Sequence, residues 1–528
     1  MPASAPHARD GGHAPAGGRD IASYDVTSYD LAVIGGGIVG AAIARELSGQ
    51  ALDGRPVSVA LLEARDDVGD GTSKANTAIL HTGFDAKPGT LESRLVARGY
   101  ELLSSYAEQT GIPVERTGAL LVAWDREQLD ALPGLKEKAE RNGYPHCRLV
   151  DAAEVYRAVP DLGDGALGGL TVPDESVICT WTTNLALATD AQQRGADILL
   201  GHAVTGVAQG REAYGAASTS EDDGLTTLHT TAGAVRARWV VNAAGLGADH
   251  IDRLFGHDRF TVTPRRGELF VFDKLARPLV DTIVLPVPSS RGKGVLVSPT
   301  IYGNVMLGPT AENLTDRTAT GTSEEGFDFL LDKGERLMPR LLSEEVTASY
   351  AGLRAATEHD DYLIEATPGQ RYVLAAGIRS TGLSSGMAVA EYVRELLEEA
   401  GLPLRPAPDT APPPRMPNLG EAARRPYEDA GLIAEDPAYG TVVCFCERVT
   451  EGEIRDACHA PLPARNLEGL RRRTRAMNGR CQGFYCGAAV AALHDLHRPY
   501  DGCGDAARRE APSCAAPSRD APSSEDRS

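Results

Sequence analysis

Between Asp30 and Leu47 the chain reads DLAVIGGGIVGAAIAREL, and its apolar pattern changes character within that span. Residues 31–34 form a continuous apolar run, as in a strand buried on both faces, and residues 41–47 are good helix formers. Three glycines lie between them. Gly35 permits a sharp turn, Gly37 lets the backbone approach a pyrophosphate, and Gly40 lets the helix pack closely on the strand. The helix N-terminus would then present free N–H groups and a partial positive charge to the phosphates, with Ile38 and Val39 also expected at the cofactor. A second apolar strand, residues 57–62, ends in Glu63, whose carboxylate can accept hydrogen bonds from a ribose diol, with Ala64 beside it.

The segment DDVGDGTSKANTAILHTGFD follows. Thr72, Ser73, Asn76 and Thr77 suit a loop against a polar cofactor, and residues 78–81 read as a short strand delivering His81 to the cofactor ring. An imidazole there could take the proton of an alcohol as a hydride departs. Taken alone, a histidine at a strand end is more often a structural hydrogen-bonding residue.

Residues 90–109 predict a helix, with Leu91, Leu95, Leu102 and Tyr106 at helical spacing and Gly111 closing it. Alternating stretches from 118 onward open a β-rich second domain. A helix over 183–194 and a strand over 198–207 return to the first domain, with Val204 expected against an adenine. The apolar strand from Trp239 ends in small residues, where Ala244 and Gly245 admit a ligand. Ordinary buried strands are the competing reading for both. Residues 261–313 are again β in pattern. Arg265, Arg266, Arg291 and Lys293 lie among them and read individually as the solvated face of a sheet. Arg354 differs, because a single guanidinium among the small residues of AGLRAAT needs an anion if buried. Residues 371–377 are a further strand, IRSTGLSSGM a loop, and 388–398 a helix. Gly377, Gly382, Leu383 and Ser384 are expected along the cofactor, where a helix dipole could meet a ring oxygen that becomes anionic on reduction.

With 528 residues there is room for three to four units of about ordinary domain size. A net charge of -20 argues against a nucleic-acid partner. The N-terminus lacks the order of a signal peptide, and no apolar window is long enough to span a bilayer. A cytoplasmic location is expected, with peripheral attachment to the inner face of the membrane compatible with it. Residues 1–28 read as a disordered leader, 401–440 as a proline-rich extended linker, and 501–528 as a disordered tail.

Four of the nine cysteines form one constellation: Cys444-Phe-Cys446, then Cys481-Gln-Gly-Phe-Tyr-Cys486. Four thiolates hold either a 2Fe-2S cluster or a structural zinc. The single residue between the first pair is shorter than zinc sites usually use, which favours the cluster. Cys147, Cys179 and Cys458 read as buried thiols, and Cys503 and Cys514 have no clear role.

Over residues 30–400 the signatures VIGGGIVG with Glu63, TSKANTAILHTG, VVNAAGLGAD, KGVLVSPTIYGNVMLGPTAE, YAGLRAAT and AAGIRSTGLSSG resemble the D-amino-acid-oxidase-like superfamily of FAD-dependent oxidoreductases. The loop before His81 and the GPTAE segment are most similar to glycerol-3-phosphate dehydrogenases and oxidases, with L-2-hydroxyglutarate oxidases close behind. One departure is Gly386-Met387, where the family leads one to expect a proline between Ser384 and Met387. Residues 441–500 resemble the bacterioferritin-associated-ferredoxin-like 2Fe-2S domain found at the C-terminus of one family of glycerol-3-phosphate dehydrogenases. The resemblance implies an α/β Rossmann-like FAD-binding domain (29–112, 178–258, 345–400) interleaved with an α+β substrate domain built on a large β-sheet (113–177, 259–344). A small helical iron-sulfur domain follows. It also implies a catalytic role for His81, and anion binding by Arg354 and Lys293. The expected activity is oxidation of a small anionic 2-hydroxy substrate, sn-glycerol 3-phosphate foremost. Electrons would pass from FAD through the 2Fe-2S cluster to a protein or quinone acceptor. A 2-hydroxy-acid dehydrogenase and a non-catalytic redox sensor are the rivals.

Overall fold

The computed structural model describes residues 27–209, 224–288, 294–408, 410–421 and 424–498. The first apolar run is the strand Ser28–Ile34, which lies parallel between Val59–Glu63 and Gly233–Asn242. Asp197–Leu200 extends this sheet on one side, and Tyr372–Ala376 runs parallel to the far half of Gly233–Asn242. Period-two alternation sends the strand residues into two different cores. Leu31, Val33, Val59 and Leu61 pack with Ile43 and Leu47 of the helix Ile38–Ser48, whereas Ala32, Ile34, Ala60 and Leu62 pack with Ile251 and Phe255. The helix can lie this close because a Cβ on Gly40 would fall 1.8 Å from the carbonyl of Gly35.

A second, nine-stranded sheet is built from two separate parts of the chain. Ala119–Ala123, Gly168–Val172 and Arg148–Asp151 form one flank, and Ile283–Pro286 joins it in parallel to the antiparallel strands of residues 263–313. Val346–Ala356 pairs along Thr263–Phe272 and so belongs to this sheet. The expected return to the cofactor domain at 345 is therefore corrected to about 357. Residues 198–207, read as one strand, are two, because Gly201 turns the chain with a φ of 75°. The helix at 90–109 is Leu91–Thr110, with the Thr90 side chain capping its start and Gly111 left-handed at its end.

Two further expectations change. The glycine- and serine-rich stretch is a loop only as far as Thr381: the helix starts at Gly382 and runs to Glu399. Its small residues allow tight packing, since a Cβ on Gly99 of the neighbouring helix would lie 2.2 Å from the Ser384 carbonyl. Nor is 401–440 a free spacer. Leu402, Leu404 and Leu419 are buried, Arg405–Pro406 pairs with Gln50–Leu52, and the Met416 N–H donates to the Thr110 carbonyl. The leader up to residue 26, the tail from 499, Cys503, Cys514, Arg291 and Lys293 lie outside the described residues.

The C-terminal unit is a short hairpin, Val442–Cys444 with Val449–Thr450, and three helices, Glu451–His459, Leu467–Thr474 and Gly487–His497. Cys458, Ile454, Leu470 and Val490 fill its own small core.

Candidate functional site

The glycine turn is held from below. Gly35 has a φ of 108°, and a Cβ on it would fall 2.5 Å from the Ala243 carbonyl. Glu63 accepts from the Gly36 and Arg65 N–H groups at 2.7 and 2.9 Å, so its carboxylate already sits at the turn. The helix Ile38–Ser48 starts without a cap from Gly37 and without an acidic residue in its first turn. Ser73 Oγ accepts from the Ile38 N–H at 2.9 Å and brings the 72–77 loop over the turn. The His202 N–H donates to the Glu63 carbonyl, which sets the start of the Val204 strand beside Glu63. Ala64 is exposed at the strand end, Gly245 has a φ of 55° with open space beside it, and Gly377 turns the chain after Ala376 with a φ of 71°. Leu383 packs at the rim of the core beneath them.

The same loop is clasped by the second sheet. Thr72 Oγ1 donates to the Leu353 carbonyl, Tyr350 donates to the Asn76 carbonyl, and a Cβ on Gly352 would lie 2.0 Å from the Ala75 carbonyl. The Asn76 side-chain amide donates to Ser73 O and Thr180 Oγ1, and its Oδ1 accepts from the Ala78 N–H. Thr77 is half-buried beside it.

From this loop the strand Ile79–Leu80 leads to His81. Its N–H donates to Ser384 Oγ at 2.8 Å, so the buried Ser384 hydroxyl is committed to holding the histidine's backbone. Nδ1 of His81 lies 2.9 Å from Glu175 Oε2, and Glu175 is fully buried. The other carboxylate oxygen accepts from the N–H and hydroxyl of Thr82 at 2.8 and 3.0 Å. With Glu175 accepting a proton from Nδ1, Nε2 is left as the basic nitrogen. Sequence reading missed Glu175. It stands 94 residues from His81, and nothing local distinguishes it from any other turn carboxylate.

Tyr350, Gly352 and Arg354 share one face of their strand by period-two spacing, and that face meets the 72–77 loop. Arg354 lies opposite Arg265 in the register, with Gly267 leaving room for its guanidinium. Burial and the neighbouring Arg265 charge pull its pKa down. Among the described residues no carboxylate pairs with Arg354, and its one hydrogen bond is a 3.4 Å contact to the Thr310 carbonyl. Like charges opposite one another on a sheet cost stability unless an anion sits between them. A cavity of about 480 Å³ opens beside Arg265, lined by Thr263, Asn313, Ala356 and Glu358 among others. Arg265 is exposed, as expected of a sheet's solvated face, and also lines this cavity.

In the C-terminal unit the four thiols stand as two neighbouring pairs, Cys446 beside Cys481 and Cys444 beside Cys486. Among the described residues no three metal-binding side chains are already drawn together at metal-binding spacing. Backbone N–H groups of Tyr485, Gly483 and Cys486 point at Cys481 and lower its pKa, while burial and Cys444 push Cys486 up to about 12. Gly479 must be glycine, because a Cβ there would lie 2.3 Å from that of Cys446.

Residues 30–396 match the model of the FAD dependent oxidoreductase family, and residues 442–494 match that of the BFD-like [2Fe-2S] binding domain. The chain belongs to the FAD-dependent oxidoreductases. This flavoenzyme is 36% identical over 452 residues to a glycerol 3-phosphate dehydrogenase of Caloramator mitchellensis, covering 85% of this chain and 90% of that one. It is 28% identical to a glycerol 3-phosphate oxidase of Mycoplasma pneumoniae, covering 65% and 88%. Human mitochondrial L-2-hydroxyglutarate dehydrogenase is 30% identical over 48% of this chain. Among solved structures, the FAD-bound L-alpha-glycerophosphate oxidase of Mycoplasma pneumoniae superposes with a TM-score of 0.67 at 25% identity, covering 74% of this chain and all of that one.

The flavoenzyme's cofactors are FAD and a 2Fe-2S cluster, and its own residues fit both. The helix start, which carries no acid and takes no side-chain cap from Gly37, suits a pyrophosphate. A hairpin that carries Cys444 and a helix start at Cys486, bringing all four cysteines into one small unit, suit thiolate–iron ligation. Among the described residues no helix is long and apolar enough to cross a membrane.

Proposed function

We propose that the flavoenzyme is a dehydrogenase of a small anionic 2-hydroxy substrate, sn-glycerol 3-phosphate, and that its electrons leave through the cluster domain to a protein or quinone acceptor. The observation carrying this reading is the His81–Glu175 pair at 2.9 Å. Oxidising the C2 hydroxyl to a ketone removes one proton and one hydride. His81 Nε2 takes the proton, Glu175 stabilises the charge that forms on the ring, and Thr82 keeps the carboxylate in place. Bound FAD supplies the two-electron acceptor for the hydride, and the cluster supplies one-electron exit. Arg354, with Arg265 beside it, holds the phosphate; two guanidiniums suit a dianion better than a single carboxylate. The glycerol 3-phosphate named for two relatives supports the substrate, and the appended cluster domain supports a dehydrogenase over an oxidase.

Steady-state dye reduction by sn-glycerol 3-phosphate and by L-2-hydroxyglutarate tests this. Faster turnover of the hydroxy acid would move the substrate to that class. Absence of turnover with either would remove the dehydrogenase reading.

A further inference from the structure

The segment joining Glu63 to Ser73 carries three acids that the hydride step does not use, and two of them, Asp67 and Asp70, are held from far along the chain. Asp67 is almost fully buried, and its two guanidinium partners come from more than 400 residues away. Arg473 binds it with both Nη atoms at 2.7 and 2.8 Å, and Arg472 reaches it at 2.6 Å. The other Nη of Arg472 binds Asp70 at 2.6 Å, where Arg65 and Lys74 converge as well. Both arginines are buried and stand on the helix Leu467–Thr474 of the cluster domain.

What Asp67 holds in turn is the flavin turn. Two residues on, the Gly69 N–H donates to the Gly36 carbonyl at 2.9 Å, and beyond Asp70 the chain enters Ser73, whose hydroxyl accepts from Ile38. A second strut runs alongside. Arg475 is buried, bonded to Glu447 at 2.8 Å, and lies 4.0 Å from the Tyr302 ring centre. Tyr302 stacks on Trp181, whose Nε1–H donates to the Lys74 carbonyl.

From this geometry we infer that the cluster domain is part of the FAD-binding apparatus, with Arg472 and Arg473 as positioning residues that hold the 67–74 segment over the pyrophosphate turn. A buried carboxylate stripped of its guanidiniums cannot stay where it is, because an uncompensated charge is costly to bury. Undocking the domain thus releases the segment from Gly36 and Ile38. Linkage makes the effect reciprocal: bound FAD, by ordering the segment, strengthens docking of the cluster domain. The inference holds whatever the substrate is.

Arg472 gives the clean variant, since its two bonds to Asp67 and Asp70 are side-chain contacts across the domains, whereas Arg473 also braces its own domain at the Leu462 and Gly469 carbonyls. Full-length Arg472→Ala, stripped of FAD and titrated with it, is expected to bind roughly 5- to 150-fold more weakly, the usual size of coupling between sites, with its iron content unchanged. An affinity within twofold of the parent protein overturns the inference, and so does weaker binding accompanied by loss of iron. The unaltered protein provides the second reading. Amide exchange in Leu467–Thr474 is expected to slow when FAD is added to the stripped protein, and equal exchange with and without FAD overturns the coupling.

Discussion

Glu175 Oε2 sits 2.9 Å from Nδ1 of His81 at a point where the carboxylate has no exposure to solvent. The pair fixes the ring's orientation and leaves Nε2 as the nitrogen that the proposed reaction would use as base. His81→Ala is expected to lower kcat by roughly 10²- to 10⁴-fold with FAD retained, the usual range for a general base. Glu175→Gln keeps the shape and removes the charge, so it should lower kcat less while leaving KM near its original value. Stopped-flow flavin bleaching by substrate reads both, and unchanged rates would place the base elsewhere.

Arg354 should act on binding. Losing one charged hydrogen-bond partner of a phosphate costs about 1.5–3 kcal/mol, so Arg354→Ala is expected to raise KM roughly 10- to 100-fold. Arg265→Ala should shift KM the same way by a smaller factor, because Arg265 is exposed and shared with Asn313. A fall in kcat with KM unchanged would assign Arg354 to the chemical step.

The glycines of the turn separate folding from cofactor binding. Gly40→Ala places a Cβ 1.8 Å from a backbone carbonyl and should fail to fold. Gly37 has an ordinary φ of -71° and only the Ser73 hydroxyl nearby, at 3.2 Å from an added Cβ. Gly37→Val is thus expected to give a folded, colourless protein, checked by circular dichroism and flavin absorbance. A yellow variant with full FAD content would remove Gly37 from the cofactor contact.

Acid should weaken the flavin domain through Asp249. Burial alone would raise its pKa, but the bonds from Arg317, the Val262 N–H and Arg253 outweigh that and hold it at about 2. The unfolded value is about 3.9. A depressed folded pKa contributes stability that is present above pH 4 and is lost as pH falls towards 2. Thermal melts of Asp249→Asn should show lower Tm at neutral pH and a shallower decline between pH 4 and 2. An unchanged slope would mean that other carboxylates govern acid unfolding.

The electron exit is tested by Cys446→Ser rather than by deletion after residue 401. Removing that part would expose the surface on which Leu402, Leu404 and Leu419 are buried. Substrate should still bleach the flavin at a similar rate, while iron falls from two atoms per chain, and the EPR signal of a reduced 2Fe-2S centre disappears. One zinc per chain in the parent protein would make this domain structural.

Local chemistry was legible in the sequence by itself. The switch from strand to helix period around Gly35, Gly37 and Gly40, the acid ending the second strand, and the two cysteine pairs each declare themselves within a few residues, because covalent spacing sets what their backbones and thiols can reach. The tertiary structure decided what depends on contacts between distant segments. Arg265 stands opposite Arg354 only because strand register places it there. Glu175 becomes the partner of His81 only because the short strands Ile79–Leu80 and Ser176–Ile178 pair. The proline-rich stretch reads as a spacer until Arg405–Pro406 is seen zipped to Gln50–Leu52. Asp67 and Arg473 lie 406 residues apart. Charge burial makes that contact consequential, and no local pattern carries the information that the two will meet.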